Sequence, residues 1–145
     1  MIHGIRFGRD FESADFGEID QLFRAAGLGS RDPERYRAAC RRSYACVLAW
    51  DGDCVVGIGR LLSDGYVASA VFDMAVHPDY QGRGIGRRIM ELLHEAVPRS
   101  THILFAVPGR EGFYRKMGYH DCKTGMIRPS DPEKAAEAGY IDLPD

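Results

Sequence analysis

Residues 71–93, VFDMAVHPDYQGRGIGRRIMELL, constrain this chain more than any other stretch. An apolar strand ends at His77-Pro78, and a loop, Gln81-Gly82-Arg83-Gly84-Ile85-Gly86, follows. The loop runs straight into a helix whose apolar stripe is Ile85, Ile89, Leu92, Leu93 and Ala96. Such a join leaves a row of backbone N–H groups at the helix N-terminus, where the helix dipole favours an anion. Arg83 and Arg87 add positive charge at the same place. The segment predicts a cradle for a phosphorylated ligand.

The spacing of the glycines narrows the ligand. A dinucleotide site wants G-x-G-x-x-G at the opening of a β-α-β unit. Here the order is Gly82-x-Gly84-x-Gly86, Arg87 takes the third glycine position, and the motif lies mid-chain. A P-loop fails as well, since no Gly-Lys-Ser/Thr occurs. Glycines that serve only a tight turn and close packing are the plainer alternative.

The rest of the chain supplies a frame for that segment. Ile2–Phe7 alternates as a first strand. Residues 15–26 place Phe16, Ile19, Leu22, Phe23 and Ala26 near a 3.6-residue period, which predicts an amphipathic helix ended by Gly27 and Gly29. Asp32-Pro33 restarts a helix running to about Arg42, aspartate as N-cap and proline at N1. Residues 45–50 and 54–62 form a hairpin around Asp51-Gly52-Asp53, and residues 66–76 form the next strand of the meander. Pro98 stops the helix after the glycine loop. The apolar run HILFAV, residues 102–107, predicts a strand covered on both faces, parallel to 66–76 through a right-handed crossover. A short helix over 111–116, a terminal strand pair over 119–122 and 125–128, and a short helix over 132–138 in the polar tail 129–145 complete the chain. The expected fold class is α/β, one mixed sheet with helices on both faces in the order β-α-α-β-β-β-α-β-α-β, within a single domain spanning 1–145.

Bulk properties exclude several classes. A net charge of −2 supplies no field to recruit nucleic acid or an anionic membrane. No apolar run approaches the ~20 residues of a membrane span, and the first ten residues lack a signal-peptide core. The four cysteines (Cys40, Cys46, Cys54, Cys122) show no C-x-x-C spacing, and the five histidines no paired-ligand pattern. A reduced, cytoplasmic protein without a metal is the expectation.

Gln81-x-x-Gly84-x-Gly86 after Val76-His77-Pro78, followed downstream by HILFAV and Gly112-Phe113-Tyr114-Arg115-Lys116-Met117-Gly118-Tyr119, resembles the GNAT superfamily of N-acetyltransferases. The order and separation of the two motifs match that family over about residues 1–128. The combination is similar to its small bacterial and plastid branch, which includes arylalkylamine (serotonin-type) acetyltransferase-like proteins. The resemblance implies a GNAT-like acyl-CoA N-acyltransferase fold, acetyl-CoA as cosubstrate, and transfer of acetyl to a primary amine of a small molecule or peptide by direct attack in a ternary complex. It is compatible with a homodimer. Protein-directed acetylation and a non-catalytic acyl-CoA-binding module stand as alternatives.

Carried onto this sequence, the resemblance assigns the pyrophosphate to the N–H groups around Gln81, Gly82, Arg83, Gly84, Ile85, Gly86 and Arg87. It assigns the pantetheine arm to the strand end Met74-Ala75-Val76, where an N–H near Val76 would also stabilise an oxyanion. Tyr114 stands where the family places its general acid, and a phenol's reference pKa of ~10 lies near that of a thiol leaving group. Asp73 is the lone carboxylate inside an apolar strand, costly there unless used or paired. General base (direct or through water), orienter of the amine, partner of a nearby arginine, and a solvent-facing edge position are all open to it. The loop 27–31 with Leu28, together with Phe23, Tyr36, Tyr66 and Phe105, would line the acceptor pocket, though these aromatics fit a core equally well. The asparagine that many family members carry after the HILFAV strand is replaced by Val107-Pro108-Gly109-Arg110.

Overall fold

A computed structural model describes residues 2–145. The chain forms two compact units, residues 1–104 and 105–145. The first is a five-stranded sheet in the order β1-β2-β3-β4-β5, built from β1 (Ile5–Gly8), β2 (Ala45–Asp51), β3 (Cys54–Ser63), β4 (Ala68–Val76) and β5 (Thr101–Leu104). Neighbours are antiparallel except β4 and β5, which run parallel as the crossover rule predicts. Helices α1 (Phe16–Ala25) and α2 (Pro33–Arg41) cover one face, and α3 (Ile85–Ala96) packs on the other. Every residue of β2 except Asp51 is therefore buried.

The helix starts follow their caps. The Asp15 carboxylate accepts from the Gly17 and Glu18 N–H groups, and Asp32 accepts from Arg35 N–H with Pro33 in the first turn. Phe16, Ile19, Leu22 and Phe23 of α1 then meet Tyr36 and Cys40 of α2 over Cys46, Leu48, Trp50 and Ile58 of the sheet. On the opposite face, Gly57 and Gly59 of β3 let α3 approach closely. A Cβ at Gly59 would stand 2.8 Å from Ile89 Cγ2 and 3.1 Å from Leu93 Cδ1.

β4 is not a regular strand. Arg60 pairs with Phe72 and Ile58 with Ala75, so Gly59 alone faces both Asp73 and Met74. This bulge is centred on Asp73, whose φ of 57° makes it the one non-glycine residue with positive φ among those described. Aspartate tolerates that conformation better than a branched or bulky residue does.

Three expectations are corrected. The strand over 102–107 ends at Leu104 and is an edge strand, and the face that carries Ile103 is left uncovered, with Ile103 57% exposed. A continuous apolar run did not mean two covered faces. The strand 66–76 starts at Ala68, because the Asp64 carboxylate gathers the N–H groups of Tyr66, Val67 and Ala68 into a turn. No strand pair forms over 119–128 among the described residues; Met126 is 92% exposed, and the polar HDCKTG stretch gives neither strand an apolar face.

The second unit contains α4 (Glu111–Arg115) and α5 (Pro132–Glu137). Asp131 caps α5 by accepting from Lys134 N–H at 3.1 Å. Tyr114 stacks edge-on with Phe113 and Tyr119, at 4.9 and 5.9 Å between ring centroids.

Candidate active site

The β4 end, the loop after it and the start of α3 form one continuous feature. After β4 a single 3-10 turn, Pro78–Tyr80, is fixed by His77, whose Nδ1 accepts from Asp79 N–H at 3.1 Å. Gly82 and Gly84 take φ of 78° and 83°, and a Cβ on Gly82 would meet nothing within 4 Å. Glycine is required at both for conformation, not for space. Gly84 is the N-cap of α3 and supplies no side-chain acceptor. The N–H groups of Ile85, Gly86 and Arg87 thus have no acceptor within the helix, which is the arrangement an anion fits. Arg83 lies over the Tyr80 ring at 5.0 Å and has no carboxylate partner among the described residues. Arg87 is held by Glu91 at 3.2 Å.

Gln81 joins loop to strand. Its Nε2 donates to the Val76 carbonyl at 3.0 Å. His77 N–H donates to the Val56 carbonyl at 2.8 Å, and alternation along the antiparallel ladder then turns Val76 N–H and C=O away from β3. On that side the β4–β5 pairing stops at Val71↔Leu104. Within the first unit, residues 72–76 therefore have no strand partner on that side, up to the Val76 N–H. Met74, Ala75 and Val76 meet the glycine loop there.

On the α1–α2 face the bulge aims Asp73 into a cluster. Its Oδ2 accepts from Arg60 Nε (3.0 Å) and lies 2.9 Å from Arg60 Nη2. The Tyr36 hydroxyl donates to the same oxygen at 3.2 Å, and Arg31 Nη2 donates to Oδ1 at 3.3 Å. Burial and the Asp73 charge push the Tyr36 phenol well above its ordinary range, so it is a fixed donor. Of the arginines, neither position nor spacing in the sequence announces Arg60; Arg31 was expected only as part of a loop.

The expected acceptor residues separate. Phe23 is fully buried and lies edge-on to Tyr36, 5.1 Å between centroids, with the Arg31 guanidinium over its ring. Phe23 and Tyr36 are thus core residues beneath the cluster, and partly buried Leu28 packs against the same core. Tyr66 is corrected: it is 80% exposed and ten residues upstream of Val76, about 30 Å along an extended chain. It does not belong with Met74–Val76. Phe105 belongs to the second unit and is 46% exposed. Tyr114 lies in the same unit, where burial raises its phenol above the ordinary value and the neighbouring Tyr140 raises it further.

The pattern that defines the acetyltransferase (GNAT) domain matches residues 42–121, from the end of α2 past α4. This chain belongs to the GNAT family. It is 32% identical over 116 residues to an uncharacterized ycf52 N-acetyltransferase of Porphyra purpurea, covering 75% of this chain and 67% of that one. It is 31% identical over 123 residues to the chloroplastic serotonin N-acetyltransferase 2 of Oryza sativa, covering 80% and 62%. The chain thus spans about two thirds of the length of these curated relatives. Among solved structures, a GNAT-family acetyltransferase of Streptococcus pneumoniae superposes with a TM-score of 0.71 at 31% identity, over 87% of this chain and 96% of that one. The ribosomal-protein-S18-alanine N-acetyltransferase of Escherichia coli shares the fold, with a TM-score of 0.69 at 15% identity over 82% and 79%. Among the described residues no helix is long and apolar enough to cross a membrane.

Proposed function

We propose that this protein transfers an acetyl group from acetyl-CoA to the primary amine of a small molecule or peptide, by direct attack in a ternary complex. The observation that carries this reading is the junction at Val76. An open strand edge, which fits the peptide-like pantetheine arm, runs directly into an uncapped helix N-terminus, which fits a pyrophosphate. Acetyl-CoA would supply the activated acyl group; the protein's part is to hold and polarise it. The free Val76 N–H is the donor for the thioester oxygen, fixed in place before reaction by the sheet and by Gln81. Tyr114 is the acid that gives its proton to the departing thiolate as the amine's carbon–nitrogen bond forms.

Of the roles open to Asp73, orientation is the one its partners support. Both oxygens accept from fixed donors, two of them guanidinium groups, which leaves little lone-pair capacity for a proton from the amine. Asp73 holds Tyr36, Arg31 and Arg60 in register at the acceptor side, and water serves as the base. All four cysteines are free thiols, in keeping with a reducing, cytoplasmic setting. The reading is tested by thermal unfolding with and without acetyl-CoA. At a hundred times the dissociation constant, binding contributes about 2.7 kcal/mol and raises the midpoint by several degrees. No shift at saturation sinks the reading.

A further inference from the structure

Three guanidinium groups and two carboxylates meet where the α1–α2 loop reaches β4. Arg24 pairs with Asp20 at 3.1 Å, while Arg31 and Arg60 share Asp73. Asp20 also accepts from the Ser30 hydroxyl and the Arg31 backbone N–H, so both carboxylates are committed. The cluster keeps one unbalanced positive charge. Arg60 and Asp73 are nearly buried, at 15% and 12% of side-chain exposure, whereas Arg31 is 33% exposed. Arg24 is exposed and balanced by Asp20. The surplus is therefore reachable from solvent at Arg31.

Arg31 also has donors to spare. Its Nη1 donates to the Leu28 and Ser30 carbonyls at 2.9 and 3.3 Å, and its Nη2 uses one hydrogen on Asp73. Of the five N–H groups of a guanidinium, Nε–H and one Nη2–H remain without an acceptor among the described residues. The side chain is held on both flanks, by the loop carbonyls and by the Phe23 ring at 5.1 Å. A guanidinium fixed in this way loses little freedom when it binds a ligand.

We infer that Arg31 selects an acceptor amine bearing a carboxylate, an amino acid or a close analogue, and binds that carboxylate beside Asp73. The inference rests on the acetyl-transfer reading. A plain ammonium approaching the cluster meets a net positive charge, whereas an amino-carboxylate brings its own counter-charge. A monoanion cancels the single surplus charge; a dianionic phosphate would leave a negative excess in a partly buried site. Distance fits as well: Asp73 stands three residues ahead of Val76, at most about 10 Å along the strand.

The experiment measures thiol release by the full chain with acetyl-CoA and two matched pairs, phenylalanine against phenethylamine and alanine against ethylamine. Each carboxylate-bearing member should show a kcat/KM about ten- to a hundredfold above its partner, the range set by one charge-assisted hydrogen bond. Arg31→Gln should bring the members of each pair within about threefold, through a raised KM for the amino acid and a lowered KM for the plain amine, which no longer meets the surplus charge. Arg31 also ties down its own loop, so Arg31→Lys is the second variant; it keeps the charge without the planar fork and should retain part of the preference. Equal or better turnover of the plain amines overturns the inference, as does an equal loss on both members in Arg31→Gln. Silence on all four amines in a chain that acetyl-CoA still stabilises overturns it too, leaving the parent reading intact. Absence of that stabilisation sinks the parent reading itself.

Discussion

Asp73 combines a left-handed backbone with a nearly buried charge, and both are tolerated for the same reason. The bulge turns its side chain toward Arg60, Arg31 and Tyr36, whose donors offset the cost of taking a carboxylate out of water. Asp73→Asn isolates the charge, because asparagine accepts positive φ equally well. The change leaves two guanidinium groups facing one neutral carbonyl. It should cost about 2–3 kcal/mol in urea unfolding, below the 3–5 of a fully buried pair because Arg31 is one-third exposed. The acid limb of the pH–rate profile should stay in place; a flattened limb would restore Asp73 as the base. In the proposed reaction, removal of the Tyr114 hydroxyl takes away the thiolate's proton donor and little else. Tyr114→Phe should lower turnover about a hundredfold with unchanged acetyl-CoA affinity, measured by steady-state rates beside calorimetric binding. Unchanged turnover would free Tyr114 of the role. Little of the Asp73 cluster was legible in the sequence. Its partners lie 13, 37 and 42 residues away, and a positive φ inside an apolar run leaves no periodic trace.

Elements are where the sequence spoke most clearly, wherever a cap or a period had a physical cause. Asp32 caps the helix it announces, Asp15 and Asp131 cap the two other helices whose spans were read from the sequence, and the stripe Ile85, Ile89, Leu93 is buried as its spacing requires. The junction of β4, glycine loop and α3 was legible for the same reason, since alternating glycines before an apolar stripe admit few structures. Edges were not: the apolar composition of HILFAV is shared by buried and edge strands, and only pairing distinguishes them. The Gln81–Val76 clamp was hidden as well, since a glutamine's partner is set by how the loop folds back. The placement of α3 rests on Gly57 and Gly59, whose missing side chains bring the helix axis close to β3. A methyl group at Gly59 would press on Ile89, Leu93 and the Met74 sulfur, all within 3.2 Å. Gly59→Ala should therefore cost about 1–3 kcal/mol. It should also weaken acetyl-CoA binding, because the proposed pyrophosphate site lies at the N-terminus of α3. Lost stability with cofactor affinity intact would show that the helix start is positioned by the loop alone.

At the scale of the whole molecule, the ionisable groups divide the response to acid into two stages. His94 on α3 packs edge-on against His102 of β5, 4.9 Å between ring centroids. Burial, and then the neighbouring His102, lower the His94 pKa below its ordinary value, while Glu91 acts weakly the other way. A group whose folded pKa is depressed favours the folded state in its deprotonated form. That stability is complete above the unfolded value near 6.5 and is lost as the pH falls through the lower folded value. The carboxylates respond later. Hydrogen bonds hold Glu12, Asp20, Asp64 and Asp121 below the usual range: from Arg41 to Glu12, from the Arg31 N–H to Asp20, from the Tyr66 N–H to Asp64, and from Arg115 to Asp121. Their stabilisation persists above about pH 4 and disappears below it. Thermal midpoints measured from pH 8 to pH 3 should fall first just below pH 6.5 and again, more steeply, below pH 4. His94→Gln should remove the first decline and leave the second untouched. A midpoint flat from pH 8 to pH 5 in the unmodified chain would show that the His94–His102 contact is relieved by a small movement of α3 against the sheet rather than by unfolding. The first limb therefore reports how firmly the helix that begins at the glycine loop is held at its other end.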